Sequence, residues 1–136
     1  MKVLIIIPAY NEQENIINTV SKVLDYKTEC DFQLDYVVIN DGSTDNTYDI
    51  CRKNNIRCVN LIQNLGIGGA VQTGYKLANM QDYDIAIQFD GDGQHDINSL
   101  KSLIAPIVNG TADFTVGSRF IGDGVSFQST AMRGSG

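Results

Sequence analysis

The chain has 136 residues, 43% of them hydrophobic, which is enough for one compact domain with its own core. Ten Lys and Arg stand against sixteen Asp and Glu, a net charge of −6 with no basic block able to track a phosphate backbone. Nucleic acid is therefore not an expected partner, and cations or cation-bridged ligands are favoured. A single histidine, His95, and three cysteines without a CxxC pair, Cys30, Cys51 and Cys58, give no basis for a zinc site or a disulfide framework. The thiols are expected to be reduced and structural. The longest apolar runs, such as residues 3–7, are far too short to span a bilayer, and the first residues lack the features of a signal peptide, so a soluble, cytoplasmic chain is expected.

In chain order, residues 3–7 (VLIII) form the first predicted strand. The polar turn YNEQEN then leads into a predicted helix over 12–26, where Ile16, Val20, Val23 and Leu24 recur at helical spacing. Residues 36–39 (YVVI) read as the second strand, 44–54 as the second helix and 58–62 (CVNLI) as the third strand. The third helix is predicted over 68–80, with Val71, Tyr75 and Ala78 on one side, and the fourth strand over 85–89 (IAIQF). A fourth helix over 98–108 is capped by Asn98 or Ser99, with Pro106 in its last turns or bending it, and residues 114–117 (FTVG) are the fifth strand.

Strands alternating with helices need crossover connections, and near-continuous apolar strands need cover on both faces. The fold class is therefore α/β: a doubly wound, mostly parallel sheet sandwiched by helices. Ligands of such sheets bind outside the carboxyl ends of the strands. Four strands here run into polar or Gly-rich stretches at that edge: PAYNE, NDGSTD, NLGIGG and DGDGQH.

In DGDGQH, Asp90 and Asp92 point the same way if the strand continues, and Gly91 and Gly93 leave room for close approach. The two carboxylates repel unless a hard cation with oxygen ligands joins them. Mg²⁺ or Mn²⁺ takes one or two such carboxylates and fills its other positions with water and phosphate oxygens, and Gln94 offers a third protein oxygen. A solvated Gly-rich turn is the plainer reading. An EF-hand loop beginning at Asp90 fails, because His95 and Lys101 stand where Gly and Glu are required. A dehalogenase-type phosphatase, with Asp90 as nucleophile and Asp92 as general acid, is a competitor, although that motif usually follows a chain's first strand. GIGGAV has Val71 where a dinucleotide fingerprint needs Gly or Ala.

At the other strand ends, Pro8 closes the first strand, Tyr10 offers an aromatic face with a hydroxyl, and Glu12 is an acceptor for base or ribose donors. Asp41 is expected at a strand end facing a ligand rather than in the core, whereas Asp45 reads as a turn and helix-cap residue. NLGIGGA opens a helix whose free N–H groups suit either a phosphate or close packing.

Taken in order, PAYNE, NDGSTD, NLGIGGAVQTGYKLA, DGDGQH and GSRF resemble the motifs of family 2 glycosyltransferases of the GT-A fold, along essentially the whole chain. Within that family the resemblance is to the branch that includes dolichyl-phosphate mannose synthases and bacterial polyprenyl-phosphate sugar transferases. It implies a Rossmann-like nucleotide-binding half and a UDP- or GDP-sugar donor, bound by Pro8, Ala9, Tyr10, Glu12, Asp41, Gly69, Asp90, Gly91 and Arg119. It implies Mg²⁺ or Mn²⁺ held by Asp90, Asp92 and Gln94, with Asp92 and Arg119 catalytic, and Arg133 as a second basic residue near phosphate. The implied reaction is inverting sugar transfer to a polyprenyl phosphate or a glycan, at the cytoplasmic face of a membrane if lipid-contacting segments exist beyond these residues.

Two departures qualify the resemblance. Asn40 stands where the family often has a first aspartate, leaving Asp41 for base recognition. The family's acceptor half lies beyond the metal motif, so residues 1–136 read as a single donor-binding domain truncated before that half. No acid in it is nominated as general base; Asp96 and Asp123 read as solvated loop residues. A nucleotide-binding module inactive by itself stays open beside the enzyme and the phosphatase.

Overall fold

The structure is a computed structural model that describes residues 2–89, 98, 101, 102, 104 and 105, and the backbone of 118–121, 125–128 and 132–133. Strand β1 (Lys2–Ala9) is its centre: Val3 to Ala9 are buried without a break, so both faces of the strand are covered. It pairs in parallel with β2 (Gln33–Asn40) over its full length, from Lys2↔Gln33 to Ala9↔Asn40. On its other side it pairs in parallel with β4 (Ile85–Gln88), from Val3↔Ile85 to Ile6↔Gln88. Pro8 has no N–H to give, and it falls beyond the last residue that β4 pairs, where none is needed. The short strand β3 (Cys58–Asn60) adds in parallel to β2. β7 (Met132–Arg133) closes the far edge antiparallel to β4, giving the order β3-β2-β1-β4-β7.

One face of this sheet packs on helix α1 (Ile16–Lys27), whose buried residues Ile16, Thr19, Val20, Val23 and Tyr26 recur every three or four positions. Helix α2 (Thr47–Lys53) adds Cys51 to the same cluster, and the helical residue Ile104 completes it. The other face packs on α3 (Gly66–Met80), through Ala70, Ala78 and Gly74. A Cβ at Gly74 would stand 2.4 Å from Ile6 Cγ2, so the absence of a side chain is what lets α3 lie against β1. Burial of a Val, Leu or Ile side chain stabilises by about 1.5–3 kcal/mol. The fully buried Val3, Leu4, Ile5, Ile6 and Ile7 thus make β1 the costliest strand to disturb.

The parallel α/β sandwich matches the expectation, with three differences at its margins. The third strand stops at Asn60 and Ile62 is wholly exposed, because beyond Leu61 N–H, which donates to the Asn40 carbonyl (2.9 Å), the chain has left β2. The expected fifth strand, 114–117, lies outside the described residues; the backbone instead shows β5 (Ser118–Ile121) and β6 (Val125–Gln128) as a separate antiparallel pair. The first two helices start late, at Ile16 and Thr47 rather than at 12 and 44. Residues 98, 101, 102, 104 and 105 are helical, within the expected fourth helix, while Pro106 lies outside the described residues. All three cysteines are free thiols.

Candidate functional site

Strand order points to the sheet edge where ligands of such folds bind. From β1 the chain steps outward through β2 and β3, then returns to the opposite side of β1 as β4, so the direction of winding reverses between β1 and β4. In open α/β sheets the loops at the carboxyl ends of the strands diverge at such a point and leave a crevice. Phe89 N–H donates to the Ile6 carbonyl (2.8 Å), which keeps the chain beside β1 up to the residue before Asp90. Asp90, Gly91, Asp92 and Gln94 themselves lie outside the described residues. Among the described residues, no group of three or more His, Cys, Asp or Glu is placed to hold a metal ion.

On the other side of β1, the loops after β1 and β2 are joined side by side. Asp41 N–H donates to the Ala9 carbonyl (2.8 Å) and extends the β1–β2 ladder by one step. Three successive backbone N–H groups of the first loop then donate to side chains of the second: Asn11 to Ser43 Oγ (2.9 Å), Glu12 to Thr47 Oγ1 (2.9 Å) and Gln13 to Asp45 Oδ2 (3.2 Å). The second loop answers in kind. Asn11 Oδ1 accepts from Thr44 N–H (2.8 Å), Thr44 Oγ1 (3.3 Å) and Asp45 N–H (3.3 Å), and Gln13 Oε1 accepts from Asn46 N–H (3.2 Å). N–H groups that precede or open a helix have no intrahelical acceptor, and these loop-to-loop bonds satisfy those ahead of α1 and α2.

Within this clasp Asp45 is a cap, as its type predicts: Oδ1 accepts from Thr47 N–H (2.9 Å) and the Thr47 hydroxyl. Partial burial pushes its pKa up, but the bonds from the Thr47 hydroxyl, Thr47 N–H and Gln13 N–H prevail and hold the carboxyl below its ordinary value. Asn40 is buried, its Nδ2 donating to Asn60 Oδ1 (2.7 Å) and its Oδ1 accepting from the Ser43 hydroxyl. It ties β2 to β3.

Asp41 differs from expectation. It is 3% exposed, within the packed end of the sheet rather than outside it. Its Oδ1 accepts from Leu65 N–H at the start of α3 (2.7 Å), and its carbonyl accepts from Asn64 Nδ2 (3.1 Å). Its Oδ2 has no hydrogen-bond partner among the described residues. Such a buried acceptor is costly unless something donates to it. The third loop reaches this close only because residue 42 is glycine: φ is +68°, and a Cβ would lie 2.5 Å from Asn64 N.

The remaining predicted residues fall as follows. Pro8 and Ala9 are buried in β1, Tyr10 is 46% exposed at its end, and Glu12 is half-buried in the clasp. A Cβ at Gly69 would lie 2.6 Å from Leu65 Cβ, which explains that glycine by packing, whereas Gly68, one residue earlier, faces open space. The backbone of Arg119 is in β5, opposite Phe127. Arg133 pairs with Ile85, three residues before β4 ends, or about 10 Å from the crevice by strand rise. Asn11, Gln13, Ser43, Thr44 and Thr47 were not singled out from sequence; the only signal was a denser run of Ser, Thr, Asp and Asn than a turn needs.

The family description Glycosyl transferase family 2 matches residues 4–134. The UDP-N-acetylglucosamine–dolichyl-phosphate N-acetylglucosaminyltransferase of Methanococcus voltae is 34% identical over 132 residues, covering 85% of this chain and 51% of that protein. The undecaprenyl-phosphate mannosyltransferase of Micrococcus luteus is 31% identical over 129 residues, covering 91% and 51%. The chain thus spans about half the length of these relatives. Among solved structures, S. aureus TarS superposes with a TM-score of 0.56 at 27% identity over 84% of this chain and 34% of that one. Glucosyl-3-phosphoglycerate synthase from Mycobacterium tuberculosis, in a complex with Mn²⁺, UDP-glucose and phosphoglyceric acid, gives 0.62 at 23% identity, covering 80% and 40%, a likeness of fold.

Proposed function

The chain belongs to glycosyl transferase family 2, and from that membership we propose that it is the donor-binding part of an inverting enzyme that moves a sugar from a nucleoside-diphosphate sugar to a polyprenyl phosphate or a glycan. The relatives whose names carry dolichyl phosphate and undecaprenyl phosphate favour the lipid phosphate, an acceptor already ionised that needs no general base to attack. The observation that carries the donor assignment is the Asp41 carboxylate, buried at the ligand edge with one oxygen held and the other without a partner among the described residues. A base N–H would satisfy that oxygen. Because Oδ1 already serves Leu65, the carboxylate has one oxygen left, which suits the single imide N–H of uracil better than guanine's adjacent pair of donors. We therefore read the donor as a UDP-sugar. Tyr10 supplies an exposed aromatic face beside it and Glu12 an acceptor for ribose.

Asp90 and Asp92, with Gln94, form an oxygen donor set suited to Mg²⁺ or Mn²⁺, and the Phe89 N–H bond to the Ile6 carbonyl, one residue before Asp90, supports assigning them to the carboxyl edge of the sheet. A cation bound there neutralises charge on the departing nucleoside diphosphate. Arg119 is assigned to phosphate on the same reading. The family displaces the phosphatase alternative, and the DGD motif follows the fourth strand of the chain, not its first. Acceptor recognition is assigned to sequence that the relatives carry outside the matched half, so this part alone binds donor and turns over little. Thermal melts with UDP and GDP, each with Mn²⁺ or with chelator, test the reading. UDP with Mn²⁺ is expected to raise the melting temperature most, and no shift with any of the four would overturn it.

A further inference from the structure

We propose that Asn11 is a positioning residue for the nucleoside site, an inference that rests on the donor-binding reading above. Asn11 lies between Tyr10 and Glu12 with φ at +54°, a left-handed conformation that asparagine tolerates better than any other residue but glycine and aspartate. That conformation turns the chain so that Asn11 N–H meets Ser43 Oγ (2.9 Å) while its own Oδ1 gathers Thr44 N–H, Thr44 Oγ1 and Asp45 N–H at 2.8, 3.3 and 3.3 Å. Its Nδ2 has no partner among the described residues, so the side chain acts here through its oxygen alone. The Ser43 hydroxyl passes the connection on to Asn40, and Asn40 to Asn60, so one line of bonds runs across the ends of β1, β2 and β3. Asp41 is on the same loop as Ser43 and Thr44. The spacing between Tyr10 and Asp41, the aromatic face and the carboxylate assigned to one nucleoside, is therefore held by the Asn11 Oδ1 bonds together with the Asp41 N–H bond to the Ala9 carbonyl.

Two variants separate positioning from mere folding. Asn11→Gly keeps the left-handed backbone and deletes the acceptor; Asn11→Asp keeps both an acceptor oxygen and tolerance of the conformation. Calorimetry with Mn²⁺ present measures UDP and inorganic pyrophosphate on each protein, beside a thermal melt. Asn11→Gly is expected to lose about tenfold or more in UDP affinity, with pyrophosphate affinity within about twofold of wild type, and Asn11→Asp to recover UDP binding to within about threefold. Wild-type UDP affinity in Asn11→Gly, or equal loss for pyrophosphate, or no recovery in Asn11→Asp, would overturn the proposal. Amide exchange at Thr44 and Asp45 is read in parallel, where about tenfold faster exchange in Asn11→Gly alone is expected and unchanged exchange refutes the coupling. Failure of the wild-type protein to bind UDP or GDP under any condition would instead overturn the donor-binding reading, a result distinct from either.

Discussion

The Asp41 carboxylate accepts the Leu65 backbone N–H at 2.7 Å, so the residue assigned to the base also closes the amino end of α3. One side chain thus joins the end of β2 to the start of the helix that covers the opposite face of the sheet from α1, so the proposed base contact and local folding would share it.

That sharing separates two substitutions that sequence alone would treat alike. Asp41→Ala removes the acceptor of Leu65 N–H and leaves a buried gap, and is expected to cost about 1–2 kcal/mol of stability along with donor binding. Asp41→Asn can keep an oxygen on Leu65 while turning an amide N–H toward the base. It is expected to melt near wild type and to bind UDP about tenfold more weakly or worse. Paired melts and titrations distinguish them; equal stability in the two variants would count against the Leu65 contact.

Gly42, in the loop after β2, and Gly68, in the first turn of α3, are expected to respond oppositely to alanine. At Gly42 the new Cβ meets backbone, Asn64 N at 2.5 Å and Gln63 C at 2.7 Å, at a φ of +68°, and a loss of about 1–3 kcal/mol is expected. At Gly68, helical and facing open space, alanine should be neutral or stabilise by up to about 1 kcal/mol. Denaturant titration of both variants decides this, and a stable Gly42→Ala would contradict the close approach of the two loops.

At the opposite edge of the sheet, Asp35 gathers Gln33 Nε2 (2.8 Å), the Tyr83 hydroxyl (2.7 Å) and Lys27 Nζ (3.1 Å). Partial burial raises its pKa, but the bonds from Gln33, Tyr83 and Lys27 and the Lys27 charge prevail and lower it below the ordinary carboxylate value. A carboxyl with a depressed folded pKa stabilises above its unfolded pKa, about 4, and loses that contribution as pH falls through the folded value. Tyr83→Phe removes one of the bonds, so its stability deficit should be largest near neutral pH and shrink below about pH 4. A deficit independent of pH, measured by urea denaturation, would mean that Tyr83 acts by packing alone.

The sheet was legible in the sequence because its central strands are unbroken apolar runs, and VLIII and IAIQF can be read as strands buried on both faces without knowing their partners. The stripe Ile16, Val20, Val23 likewise announced α1 by its spacing. The helix starts were not legible, since Asn11 and Thr44, or Glu12 and Thr47, are more than thirty residues apart and no local period records their bonds. The second role of Asp41 was hidden for the same reason. Asn40 illustrates the limit from the other side: the sequence marked its departure from the family pattern, but only the structure shows both ends of its amide committed to Asn60 and Ser43.

The account rests on a nucleoside diphosphate held at this edge together with a divalent cation, and Asp92→Asn tests it most directly. The substitution keeps size and shape while removing one carboxylate charge from the set assigned to Mg²⁺ or Mn²⁺. Calorimetric titration of UDP into wild-type and Asp92→Asn protein, each with Mn²⁺ and each confirmed folded by a thermal melt, is expected to show at least about tenfold weaker binding in the variant, equivalent to ~1.4 kcal/mol. Wild-type affinity in Asp92→Asn, or wild-type binding of UDP that is as tight in chelator as in Mn²⁺, would contradict the account.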